Sequence, residues 1–385
     1  MTARQVYIIA ARRSANGRLG GLHRQRRIED LAAPIVAQVL GDAEIEPSRV
    51  DVLTLGNTAA GGNPARLVGL LAGIGDHAVM TTVDRHTASG LDAIISAIRM
   101  IGHREAEIAV AGGADSFSTA PWRLVKPRTL YQLPRFVGLA QADDGATGLI
   151  PGIEAAEALA SRLGVARSQQ DEYALTDHIK ATLARDGRRF AKEIVALRPK
   201  PDEARDELIG EPDIDDLEAI PAYLETGTLT AGNTSLPADG AAFVVAVSER
   251  IYQDLGRPPA LILKAHAALG AAPSEDGEAP MLAVKALARR HSGLAIATID
   301  AIELGETSAV QAMTLAGRAG LAHAAINSDG GQIARGQPGA AASAVLVVRL
   351  FSRLVRGETA PGSAMGLAVI GGAGGQAVAA VFERV

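Results

Sequence analysis

A chain of 385 residues exceeds the length at which a single hydrophobic core stops growing, which predicts two or more packed units. Its 38 basic and 43 acidic side chains leave a net charge of −5, which argues against a nucleic-acid or anionic-membrane partner. There is no cysteine, so disulfides, thiolate metal sites and thiol chemistry are excluded, which fits a cytoplasmic protein.

Apolar residues make up 48% of the chain but aromatics only 3%, and glycine is frequent at 42 residues, so Ala, Val, Leu and Gly must build the core. Val6-Tyr7-Ile8-Ile9 is too short for a signal peptide and reads as a first strand. A helical pattern follows from Ile28 to Leu40, then a short apolar run at 51–56. Asn63-Pro64-Ala65-Arg66 opens a helix to Ala72, with Asn63 as cap and Pro64 at the first helical position. A further helix runs to Ile101, and a strand covers 108–114.

From Pro121 to Phe136 the chain carries Pro, Arg and Tyr without a clean period. Helices are predicted over Ile153 to Leu163 and Ser168 to Asp186, the second opened by Ser168 as N-cap with Asp171 three residues on. Beyond 245 come a strand at 260–265, helices over Met281 to Ala288 and Ser308 to Ala316, and a strand at 300–305. The uncharged stretch from Gly366 to Phe382 is rich in glycine and reads as a buried strand, turn and strand rather than a membrane span.

The chain repeats itself. Asp51-Val-Leu-Thr-Leu-Gly56 is answered by Asp300-Ala-Ile-Glu-Leu-Gly305, Val6 to Ala11 by Ala260 to Ala265, and Ile108 to Ala114 by Leu367 to Ala373. Three pairs in the same order predict a duplicated α/β unit. Residues 119–245 have no counterpart in the second half. The expected organisation is therefore an N-terminal half over 1–118, an inserted subdomain over 119–245 whose end returns to that half, and a C-terminal half over 246–385.

Several segments carry a resemblance to one family. They are Thr82-Val83-Asp84-Arg85-His86-Thr87-Ala88-Ser89-Gly90, Thr230-Ala231-Gly232-Asn233-Thr234-Ser235 with Asp239-Gly240-Ala241-Ala242, Gly305-Glu306-Thr307-Ser308, Asn327 to Gly331 with Gly336-Gln337-Pro338, and Val369 to Gly375. Together they resemble the thiolases, acetyl-CoA acetyltransferases, over nearly the whole length of the chain. The resemblance implies a thiolase-like, duplicated, five-layered αβαβα fold with an inserted loop subdomain covering coenzyme A. It implies a coenzyme A thioester as substrate, with an acyl carrier protein as the other acyl donor, no covalently bound cofactor and no metal. It also implies a homodimer or homotetramer, or a complex with another thiolase-like subunit.

By the same resemblance, Thr87 stands where the family has its nucleophilic cysteine, Gln337 where it has the G-H-P histidine, Gly305 where it has the asparagine, and Val369 where it has the second cysteine. A threonine hydroxyl attacks a thioester only when a base takes its proton, and His86 is adjacent in sequence. The alternative is that Thr87 caps the following helix. Gln337 can donate a hydrogen bond to an oxyanion but is no base near neutrality, or it bridges loop carbonyls. Glu306 is the carboxylate that remains. Ser235 matches the serine that lies against pantetheine, with Asn233 in the same loop.

The M-G-x-T-A-E motif of the family's loop domain has become Pro151-Gly152-Ile153-Glu154-Ala155-Ala156. Arg123 and Arg128 belong to a basic run that either meets a nucleotide phosphate or forms a solvated face. With four chemical groups replaced, the resemblance argues for altered acyl-transfer chemistry. The alternative is a catalytically inactive paralogue that stabilises or regulates an active acyltransferase.

Overall fold

The computed structural model describes residues 4–136, 152–198, 200–291, 293–319, 321, 326–357 and 364–385. Nine strands form one long sheet: β1 (Val6–Arg13), β2 (Val52–Gly56), β3 (Val79–Val83), β4 (Ile108–Asp115), β5 (Ala238–Ser248), β6 (Leu261–Gly270), β7 (Ala301–Gly305), β8 (Met365–Gly372) and β9 (Gln376–Arg384). Their spatial order is β7-β8-β9-β6-β1-β5-β4-β2-β3, with Gly17–Arg18 pairing alongside β5.

The order reads the same outward from its middle. β1 and β6 meet antiparallel, Tyr7 facing Ile262 and Ile8 facing Leu261. From that seam the N-terminal half runs β1, β5, β4, β2, β3, and the C-terminal half runs β6, β9, β8, β7. Ile326, bridged in parallel to Ile302, takes the place that β3 holds in the first half. The three sequence pairs thus fall on equivalent strands, β1 with β6, β2 with β7 and β4 with β8, as a duplication requires.

Helices complete the layers: α1 (Ile28–Asp42), α2 (Pro64–Leu71), α3 (Ser89–Gly102), α4 (Gly152–Leu163), α5 (Arg167–Asp186), α6 (Ala279–Arg290), α7 (Ala309–Ala319) and α8 (Ala341–Leu354). One core packs α1 and α2 on the outer face of the N-terminal sheet. Another packs α6 and α7 on the outer face of the C-terminal sheet. The third lies between the halves and is built on α3 and α8, with strand residues from both. The result is the αβαβα arrangement.

Every residue of α8 is buried, which suits a helix enclosed on all sides rather than an amphipathic one. Small residues let α3 and α8 approach: a Cβ at Gly90 would stand 2.5 Å from the carbonyl oxygen of Ala340 and 3.0 Å from Ala344 Cβ. Gly90 is therefore fixed by proximity rather than by dihedral angle.

Two helix starts differ from expectation. The second insertion helix begins at Arg167, and Ala166 is its N-cap, its amide donating to Gln169 Oε1 at 2.9 Å. Ser168 is already inside the first turn. Asp171 is spent on an ion pair with Arg167 at 2.5 Å and on Asn233 Nδ2 at 2.8 Å, so its side chain serves tertiary contacts rather than the cap. At α2, Pro64 is at the first helical position as expected, but the Asn63 side chain turns to Met80 and Thr82 instead of capping.

Charges are buried at one place where the halves and the insertion meet. Arg13 from β1, Arg349 from α8 and Arg335 surround the Phe190 ring at 5.5, 5.0 and 5.6 Å. Arg13 pairs with Glu193 at 2.8 Å and with both oxygens of Asp206, while Arg349 pairs with Glu193 at 2.6 Å and with Asp329. Arg13 and Arg349 are thus neutralised by directed hydrogen bonds, the condition under which burying them is tolerable, while Arg335 donates to the Gly331 carbonyl at 3.3 Å and has its nearest carboxylate, Glu303, at 3.9 Å.

Candidate active site

A cleft of about 510 Å³ opens where the loop between β3 and α3, the β8–β9 turn, the segment before α7 and the loop holding Gln337 converge. This is the size of a small-molecule pocket. His86, Thr87, Ser235, Thr307, Gln311, Gln337, Asp276, Tyr223 and residues 371–373 lie along it, with Gly152, Ile153 and Ala156 of α4 contributed by the insertion.

Thr87 is almost completely buried, and its hydroxyl donates to the Gly371 carbonyl at 2.6 Å. It does not cap the helix: α3 starts at Ser89, Ala88 is its N-cap, and the first-turn amide of Leu91 donates to Ser343 Oγ at 3.0 Å. Capping as the bland role for Thr87 is therefore corrected, because the neighbouring β8–β9 turn offers its hydroxyl an acceptor. His86 lines the same cleft, although neighbouring side chains at a tight turn usually diverge. It manages this with a left-handed backbone, φ 52°, braced by its amide donating to Asp84 Oδ1 at 2.9 Å. Burial lowers the imidazole pKa, and Asp84 and Asp276 pull it partly back.

Gln337 donates from Nε2 to Gln332 Oε1 at 3.2 Å and thus bonds a side chain rather than loop carbonyls. Ser235 donates its amide to the Thr307 carbonyl at 3.0 Å, which fixes the cleft's rim. Asn233, by contrast, is fully buried behind the rim, accepting from the Thr230 amide and donating to Asp171 and the Thr228 carbonyl. It shapes the loop and does not line the cleft.

Glu306 also stands behind the wall. Its carboxyl accepts from Tyr173 at 3.0 Å, Asn327 Nδ2 at 2.8 Å and the Ile333 amide at 3.3 Å. Burial, followed by the neighbouring Asp177 carboxylate, pushes its pKa well above the usual carboxyl range. The folded state thus binds this proton more tightly than the unfolded chain, so stability falls as pH rises above the ordinary carboxyl value toward the folded one. Glu306→Gln is expected to keep near-native stability at pH 7 and to flatten that slope, as chemical denaturation at several pH values would reveal.

Val369 points into the outer C-terminal core, and the cleft-lining groups of that strand end are Gly371, Gly372 and Ala373. A Cβ at Gly305 would lie 2.4 Å from Ile370 Cδ1, so the isoleucine fills the space beside that glycine. Arg123 and Arg128 are exposed and do not line the cleft, and Arg123 donates to the Thr58 carbonyl at 2.7 Å. Ile150 and Pro151 lie outside the described residues. No cluster of ligating side chains fit for a metal occurs among the described residues, and no described helix is long and apolar enough to cross a membrane.

Three cleft residues escape sequence reasoning. Asp276 accepts from the Gly375 amide at 2.7 Å, Gln311 accepts from the Thr307 amide at 3.0 Å, and the Tyr223 hydroxyl lies 3.3 Å from Thr234 Oγ1. None sits in a motif, and only tertiary folding brings them to Thr87.

The sheet order repeated outward from one seam, with a cleft at the converging helix and strand ends, defines a duplicated α/β fold. Two family descriptions match, "Thiolase, N-terminal domain" over residues 6–250 and "Thiolase, C-terminal domain" over 257–384. A Staphylococcus epidermidis protein named "Putative acetyl-CoA C-acetyltransferase VraB" is 32% identical over 387 residues, 99% of each chain. Among solved structures, the Bacillus anthracis acetyl-CoA acetyltransferase superposes with a TM-score of 0.89 at 27% identity over 100% of both chains. Human mitochondrial 3-ketoacyl-CoA thiolase gives 0.89 at 26% over 99% of both. The chain belongs to the thiolase family.

Proposed function

We propose that this chain holds an acyl thioester, of coenzyme A or of an acyl carrier, in the cleft at Thr87 and acts on it without a covalent thiol intermediate. The observation that carries this reading is the Thr87 hydroxyl. It occupies the head of α3 where a nucleophile would sit, yet its proton is given to a backbone carbonyl rather than to a base. An alcohol held in this way is a hydrogen-bonding wall, not an activated nucleophile. Gln337 adds an amide to that wall, and Ser235 marks the rim along which a pantetheine arm would run.

The open edge strand β3, with Val79 exposed and Leu67, Leu70 and Leu71 of α2 exposed nearby, supports self-association or pairing with a related subunit.

Incubating the protein with acetyl-CoA and acetoacetyl-CoA tests the reading. Equilibrium dialysis is expected to show saturable binding, and intact mass no acyl adduct. An adduct on Thr87 that disappears in Thr87→Val would overturn the non-covalent reading in favour of a hydroxyl nucleophile. A second reading, a silent paralogue, draws on the same tied-down hydroxyl. Absence of thioester binding together with co-purification of an active thiolase subunit would establish it instead.

A further inference from the structure

We propose that His86 is the base that removes an α-proton from an acyl thioester seated in this cleft, with Asp276 as the positioning residue that steadies the ring once protonated. The inference rests on the thioester reading above and adds to it the group that does the chemistry.

Among the described residues, the titratable side chains on the cleft wall are His86, Tyr223 and Asp276. A phenol keeps its proton at neutral pH, and a carboxylate is a weak base there, whereas imidazole takes and returns a proton near neutrality. His86 Nδ1 is buried without a hydrogen-bond partner, although the majority of buried polar atoms have one. The ring is also reached only through a left-handed backbone at a residue that is not glycine, a conformation that persists where the surroundings enforce it and that concentrates at functional sites.

His86 precedes Thr87 directly, so a thioester carbonyl near the Thr87 hydroxyl brings its α-carbon, one bond away, toward the imidazole. Two carboxylates face the ring, Asp84 from its own loop and Asp276 from the segment before α6. Arg85, beside it in sequence, is turned to Asp92 at 3.5 Å, while Gln311 and Gln337 are neutral.

In the step itself the Cα–H bond breaks and the proton passes to the neutral imidazole. The electron pair moves into the Cα–C bond, and the carbonyl π pair moves onto the thioester oxygen. Return of the proton restores the substrate, and no other reactant is consumed. In D2O the ring proton exchanges with solvent, so deuterium returns to the α-carbon.

The experiment is acetyl-CoA in D2O with methyl deuteration followed by mass spectrometry. The wild type is expected to exceed the protein-free rate, along a limb that rises with pH as the imidazole loses its proton. His86→Asn, chosen because asparagine tolerates a left-handed backbone, is expected to lose about 10²-fold in exchange while keeping acetyl-CoA binding within a few-fold. Asp276→Asn removes a charge that favours the imidazolium and is expected to move the limb to lower pH.

Exchange at the wild-type rate in His86→Asn overturns the proposal. So does an unmoved limb in Asp276→Asn, which decides the matter should the first variant fail to fold. A wild type that binds acetyl-CoA without exchanging it overturns the base and leaves the thioester reading standing, whereas a wild type that does not bind overturns both.

Discussion

Arg349→Met is expected to cost the fold about 3 kcal/mol, because it takes a buried cation from between Glu193 and Asp329 and leaves both carboxylates with only part of their counter-charge. Methionine keeps most of the side chain's length, so the loss reports charge rather than volume. Glu193 would keep Arg13 and Ser352, and Asp329 would keep Arg189. Urea denaturation at neutral pH measures the difference.

The same network predicts an acid response. Burial raises the Glu193 pKa, but Arg349 and Arg13 outweigh it and bring it down to about 2. Its contribution to stability is therefore complete above the ordinary carboxyl value and is lost as pH falls toward about 2. In Arg349→Met the loss is expected to begin at higher pH.

Asp115→Ala carries the second large effect. The carboxylate closes β4 and gathers the Thr58, Ala59 and Ala340 amides, the Thr58 hydroxyl and Asn57 Nδ2, all within 3.1 Å. It thereby ties the loop after β2 to the start of α8, next to the loop that carries Gln337. Several buried donors would lose their acceptor at about 1–3 kcal/mol each, so a loss of about 3 kcal/mol or more is expected in the same denaturation assay.

The pH dependence of Asp115 has the opposite sign from that of Glu193. Its burial outweighs the donors and lifts the pKa to about 6. The folded state therefore holds this proton more tightly, and the group's ionisation weakens the fold as pH rises from the ordinary carboxyl range through about 6. Between pH 4 and 6 the slope of stability against pH is expected to be more positive in Asp115→Ala than in the wild type.

The sheet was legible because paired strands such as 52–56 and 301–305 are short, wholly buried and mostly apolar runs whose repetition survives in the letters. Pro64 was legible for a local reason, since its ring fixes φ, and the two glycines after Ala373 because only glycine readily adopts the positive φ, 81° and 84°, that this turn needs. The cleft was legible only in part. Thr87, Gln337 and Ser235 sit in recognisable segments, and folding brings them to one wall.

Asp276 and Gln311 carry no local signature and are joined to the site by tertiary contact alone. Asn233 and Glu306 sit in such segments too, yet their side chains turn behind the wall. Sequence gives the residue but not the direction in which it points. Ser168 failed as a cap for a related reason. One residue of shift at a helix start leaves the pattern of letters almost unchanged while reassigning every end-group hydrogen bond.

The contact between Gly305 and Ile370 couples two neighbouring strands, so that neither residue changes size alone without cost. Any side chain introduced at 305 would begin 2.4 Å from Ile370 Cδ1 on the adjoining strand, so Ile370 must move or shrink to admit it. Shrinking Ile370 alone opens a void in a close-packed interior. Both single changes are thus disfavoured, and a larger residue at 305 is best admitted by paired replacement.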